Sequence, residues 1–126
     1  MERKFIDDAR LSGVFYLQII IDLDGTICTE EKTFSRSLAK PLPNAIKTIN
    51  NLYKDGHTII IYSARTWAEF EMTTNWLKKY KIKYHQLMLG KPVGDVWIDD
   101  RAIEFKNWNK IMQSLDNKTK PRIRKK

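Results

Sequence analysis

Apolar residues fall along this chain in short blocks divided by polar punctuation, and their spacing alternates between two periods. Val14 to Ile21 is apolar except for Gln18, the composition of a strand buried on both faces and central in a parallel sheet. Thr58 to Tyr62 repeats the pattern, Ile82 to Leu89 holds a third strand, and Val93 to Ile98 supplies a short fourth. Between the first two strands Ile46, Ile49, Leu52 and Tyr53 recur at helical spacing after Pro41 and Pro43, and Asp55-Gly56 ends that helix. Trp67, Phe70, Thr74, Leu77 and Tyr80 predict a second helix with a core-facing stripe. Ile103, Trp108, Ile111, Met112 and Leu115 predict a third. Residues 1–13 read as a helical or irregular lead, and Cys28 to Lys40, polar and aperiodic, as a flap with a short hairpin around Thr33 and Phe34.

Strands and helices that alternate through short connections predict β-α-β units with right-handed crossovers. The fold class is therefore α/β, a three-layer α/β/α Rossmann-like sandwich with a mainly parallel sheet. A chain of 126 residues has room for one such domain, placed at residues 1–115 and followed at 116–126 by a basic tail. That tail, with Pro121 and few apolar residues, reads as disordered.

The formal net charge of +8 raises a nucleic-acid partner, but +5 of it lies from Asp116 onward, which weakens that reading. No apolar run is long enough to span a membrane, and the acidic, interrupted start is unlike a signal peptide. A single cysteine, Cys28, forbids an intrachain disulfide and agrees with a reducing, cytoplasmic setting. Without a histidine near it in sequence, Cys28 reads as a small semi-buried thiol and not as a nucleophile.

The four predicted strands end in Asp22, Ser63, Gly90-Lys91 and Asp99-Asp100, and in a parallel sheet all four ends share one edge. Carboxylates gathered there repel one another unless a cation offsets them, and Mg²⁺ suits a site of carboxylate, carbonyl and phosphate oxygens. Lys91 adds a positive charge for the carboxylates and for phosphoryl oxygens. Asp22 is placed to attack phosphorus, and Asp24, two residues on, to protonate the leaving oxygen and later deprotonate water. Gly25 permits a tight turn with backbone N–H groups facing phosphate, while the hydroxyls of Thr26 and Ser63 can donate to it. Ala64 follows Ser63, and Arg65 or Arg101 can clamp an anionic substrate group.

An apolar strand with Asp22-x-Asp24-Gly25-Thr26, a second with Ser63, then Lys91, then Asp99-Asp100, resembles the four motifs of the haloacid-dehalogenase-like (HAD) phosphohydrolases over about residues 15–105. The resemblance implies Asp22 as nucleophile, Asp24 as acid/base, and Mg²⁺ held by Asp22, the Asp24 carbonyl and Asp99 or Asp100. It further implies a capless domain, since each gap between motifs holds too little chain for a cap, and hence an open site that a second copy of the chain could complete. Gly90-Lys91-Pro92 and Asp99-Asp100-Arg101-Ala102 are similar to capless phosphatases of capsule or polysaccharide biosynthesis. The implied function is a phosphomonoesterase for a sugar phosphate or similar small metabolite. Alternatives are a nucleotide or polynucleotide 3′-end phosphatase, and a phosphate-binding regulatory module without turnover.

Overall fold

In a computed structural model, which describes residues 16–119, the chain forms an α/β fold around a three-stranded parallel sheet flanked by helices. Strand β1 (Gln18–Ile21) pairs with β2 (Thr58–Tyr62), and β2 with β3 (Gln86–Met88), in the order β1-β2-β3. Ile20 lies opposite Ile60, and Tyr62 opposite Met88. Helix α1 (Ala45–Lys54) connects β1 to β2, α2 (Phe70–Lys79) connects β2 to β3, and α3 (Trp108–Thr119) follows. Among the described residues no further domain interrupts either crossover. The predicted lead at 1–13, the start of the first strand at Val14 and Phe15, and the tail beyond Thr119 lie outside the described residues.

Local chemistry sets the element ends. Helix α1 closes when Gly56 adopts φ +101°, which lets His57 N–H reach the Leu52 carbonyl and Gly56 N–H that of Tyr53. A 3₁₀ turn at Trp67–Glu69 leads into α2, and the Glu69 carboxylate accepts the Thr66 backbone N–H at 2.9 Å, satisfying an orphan donor at the helix start. Helix α3 runs through Asp116 to Thr119, so these first four residues of the predicted tail are helical.

The core lies on the sheet face that carries Ile21, Ile59 and Ile61, against Ile49 and Leu52 of α1, Trp76 and Leu77 of α2, and Trp108 and Leu115 of α3. Ile60 on the opposite face is also buried, but Ile20 is 63% exposed there. The first strand is therefore an edge strand with one open side, where the sequence predicted a central one. Helix α2 keeps its predicted period but turns by about one residue: Thr73, Trp76 and Leu77 are buried, while Trp67 and Phe70 are exposed. The reason is visible at Trp76, whose indole N–H donates to the Ala39 carbonyl at 2.8 Å and seats that face of α2 beneath the flap. The flap itself is a 3₁₀ helix, Thr33–Leu38, where a hairpin was predicted.

Val93 to Ile98 forms no strand. Val93, Val96, Trp97 and Ile98 are exposed, Ile98 at 95%, and the run stays unpaired. An apolar block becomes a strand only when an edge accepts its backbone, and here none does.

Candidate active site

Three strand ends meet at the carboxyl edge of the sheet. Asp22 follows β1, Ser63 follows β2, and Gly90-Lys91 follows β3. The last two loops are sewn together: Ser63 N–H donates to the Met88 carbonyl, Lys91 N–H to the Ser63 carbonyl and Gly90 N–H to the Arg65 carbonyl, all at 2.8–2.9 Å. Gly90 makes this close approach at φ +79°, a conformation that side chains disfavour.

The stitching delivers Lys91 to Asp22, with Nζ 3.3 Å from Oδ1. The ammonium also lies 5.7 Å from the centroid of the Tyr62 ring and 5.3 Å from that of Trp97, so aromatic faces flank it. Asp22 is the most open member of the group, its side chain 39% exposed.

Asp24 is held differently. Arg65 donates from Nε to Oδ2 at 3.0 Å and from Nη2 to Oδ1 at 2.7 Å, a bidentate fork on a carboxylate whose side chain is 15% exposed. Arg65 is buried completely, and its Nη1 donates to Thr73 Oγ1 at 3.0 Å. Burial by itself would pull the guanidinium pKa down. The hydrogen bonds and charge of Asp24, with smaller help from Cys28 and Glu69, more than offset this and leave it raised. Arg65 is thus an internal clamp on Asp24, and not the clamp on substrate that its loop position predicted.

The loop from Asp22 to Cys28 is closed mostly on itself. The Leu23 carbonyl accepts the N–H groups of Thr26, Ile27 and Cys28, and Gly25, at φ +84°, donates to the Cys28 carbonyl. The N–H groups of Gly25 and Thr26 are therefore engaged within the loop and do not face a ligand, as the sequence reading had them do. Thr26 keeps its hydroxyl without a protein partner among the described residues, and its carbonyl accepts the Trp108 indole N–H at 2.8 Å. Ser63 is fully buried, its Oγ accepting the Arg65 N–H at 3.1 Å, so it braces the turn. Ala64 is exposed beside it. Cys28 lies under the site with its Sγ 3.7 Å from Asp24 Oδ1, and burial first, then the charge of Asp24, pushes its pKa up to about 12. That thiol is inert, in line with its sequence reading.

Asp99, Asp100 and Arg101 do not join this group. They stand on the exposed irregular segment after Lys91, where Asp99 Oδ1 accepts the Arg101 backbone N–H at 2.8 Å. Among the described residues no three metal-capable side chains converge. Asp22 offers the hard oxygen chemistry of a Mg²⁺ ligand, but the Asp99-Asp100 half of the predicted set is not beside it, because the strand meant to carry it is not formed. A concavity of about 420 Å³ lies elsewhere, between the flap and α2 beside Ser37, Met72 and Trp76.

Sequence reasoning missed two supporting residues. Trp108 was assigned to the core alone, although its indole also fixes the motif loop. Arg36 gave no signal, yet its Nη1 reaches Glu69 at 2.7 Å and ties the flap to the start of α2.

A parallel α/β sheet with an Asp-x-Asp pair and a lysine at one strand edge defines a class of hydrolase fold. The match is explicit: residues 19–123 fit the family model described as haloacid dehalogenase-like hydrolase, and the chain belongs to that family. A search of curated proteins returns no match. Among solved structures, a structural-genomics target from Vibrio cholerae is similar at a TM-score of 0.62 and 24% identity, over 83% of this chain and 100% of that one. Two structures of a Pnkp1/Rnl/Hen1 complex, one of them described as an RNA repair complex, are similar at a TM-score of 0.54 with 24% and 21% identity. These matches cover 67% and 84% of this chain but only 31% and 33% of the other. At such identities the likeness is one of fold.

Proposed function

We propose that this chain is a phosphomonoesterase for a small phosphorylated metabolite, working through an aspartyl-phosphate. The observation that carries the reading is the meeting of Asp22, Asp24 and Lys91 at one strand edge, with the Lys91 ammonium 3.3 Å from Asp22 and Asp24 fixed by Arg65. Asp22, open to solvent, attacks phosphorus as the ester P–O bond breaks. Lys91 stabilises the negative charge that builds on the phosphoryl oxygens. Asp24, held in place by the Arg65 fork, acts once one of those hydrogen bonds opens and the freed oxygen is protonated from solvent: it gives that proton to the departing oxygen, and the resulting carboxylate takes one from the water that cleaves the acyl phosphate.

Mg²⁺ fits the oxygen donors in type and only in part in place. Asp22 and the Asp24 carbonyl would hold it, and when bound it would neutralise charge around the transferring phosphoryl group. A reducing cytoplasmic setting suits the free Cys28.

The test is phosphate release from a panel of phosphomonoesters, with and without Mg²⁺, for the wild type beside Asp22→Asn. Release that the substitution abolishes supports the assignment. Equal rates from the two proteins, or no release from a folded wild type with any ester, would refute it.

A further inference from the structure

The aromatic pair at the start of α2 remains unused by the chemistry above. Trp67 is 62% exposed and Phe70 44%, and their rings stack with centroids 6.0 Å apart at 23°. Two exposed aromatics in contact are unusual on a surface that nothing covers. Their position matters more than their exposure. A Cβ placed on Gly90 would stand 3.5 Å from Trp67 Nε1, so the indole edge rests on the backbone one residue before Lys91. Phe70 backs the indole, and the 62% exposure of Trp67 leaves ring surface open one residue from Lys91.

We infer that Trp67, backed by Phe70, is a stacking platform for the base of a mononucleotide whose phosphate is held at Asp22 and Lys91. This rests on the phosphomonoesterase reading and names its substrate class. The surroundings favour a base over a sugar ring. A polyol needs side chains that read hydroxyls; beside the platform Gly90 carries no side chain, and the Thr66 hydroxyl is engaged by Glu69 Oε2 at 3.3 Å. Glu69, the carboxylate beside the platform, is engaged by Arg36 at 2.7 Å and by the Thr66 N–H at 2.9 Å. A flat ring needs only a face, and stacking on an indole tolerates any base. The surroundings also favour a free nucleotide over a nucleic-acid end. Lys78, Lys79, Lys81 and Lys83 cluster where α2 gives way to β3, at the far end of the sheet from Asp22, so they form no basic track into the site.

The experiment compares kcat and KM on AMP, glycerol 2-phosphate and glucose 6-phosphate for the wild type, Trp67→Ala and Trp67→Phe. Expected is a preference for AMP over glycerol 2-phosphate in kcat/KM that Trp67→Ala cuts about tenfold, through KM, and Trp67→Phe largely restores. A preference ratio that Trp67→Ala leaves unmoved overturns the platform, as does a preference for glucose 6-phosphate over AMP. Turnover confined to 3′-phosphorylated oligonucleotides also overturns it. If no ester is hydrolysed, the catalytic reading falls and the platform is judged by fluorescence titration with AMP. Quenching of the wild type that Trp67→Ala abolishes then supports it, and no quenching overturns it.

Discussion

Replacing Arg65 with methionine removes a buried cation while keeping an unbranched side chain of similar reach. Two hydrogen bonds to Asp24, at 3.0 and 2.7 Å, and one to Thr73, at 3.0 Å, disappear together. Thr73 is fully buried and gains no water in exchange, and Asp24, its side chain 15% exposed, gains only partial hydration. Breaking a buried pair from one side costs about 3–5 kcal/mol, mostly as the penalty of an uncompensated charge, against a total stability of about 5–15 kcal/mol. With a urea slope of about 2 kcal/mol per molar, the unfolding midpoint should fall by about 2 M. The sharper assay is a double-mutant cycle with Asp24→Asn. Once the carboxylate is gone the guanidinium has lost its principal partner, so the double variant should be less damaged than the sum of the singles by about 2 kcal/mol or more. A loss below about 1 kcal/mol for Arg65→Met, or simple additivity in the cycle, would refute the clamp.

Three further expectations follow from other parts of the molecule. His57 Nδ1 accepts the Leu17 N–H at 3.0 Å, and burial, opposed by the charge of Asp55, holds its pKa below the usual 6.5. The unfolded chain takes up that proton first, so the contribution is complete above about pH 6.5 and declines as pH falls through that value and below; a urea midpoint for His57→Gln that is as pH-dependent as the wild type would contradict this. Cys28, the single thiol, should give no colour with a disulfide reagent in the native protein at mildly alkaline pH and one equivalent in denaturing guanidinium, whereas prompt native labelling would place it at the surface. Ile98→Thr, at a residue 95% exposed, should shift stability by no more than about 0.5 kcal/mol; a loss above about 2 kcal/mol would show the Val93–Ile98 run packed as a strand in solution.

Where the chain's own neighbours decide structure, the sequence was legible. Thr58 to Tyr62 is a strand over its full predicted span, and Asp55-Gly56 stops α1 where turn chemistry says it should. The meeting of Asp22 and Lys91 followed from strand ends alone, since a parallel sheet leaves them no other edge. Distant partners decide the rest. Trp67 and Phe70 carry the right period for a core stripe, but the face of α2 was chosen by Ala39, which binds Trp76 from 37 residues away. Arg65 looked like a surface cation because nothing in its own loop showed that Thr73 and Asp24 would enclose it. Val93–Ile98 has the composition of a strand and pairs with neither open edge of the sheet, so Asp99 and Asp100 are not carried to a strand end beside Asp22.

The hydrogen bond from Trp108 to the Thr26 carbonyl spans 82 positions. Among the described residues the other polar braces on the motif loop, the Leu23 carbonyl, the Arg65 fork and the Lys91 ion pair, come from Lys91 or from residues before it. Contacts this remote in sequence form late, because the chain between must first be ordered. The three strands and their two connecting helices carry their own nearer contacts, so the sheet can pair before the indole docks on the motif loop. The last polar brace on the motif loop thus depends on the docking of α3, an element outside the three-stranded sheet.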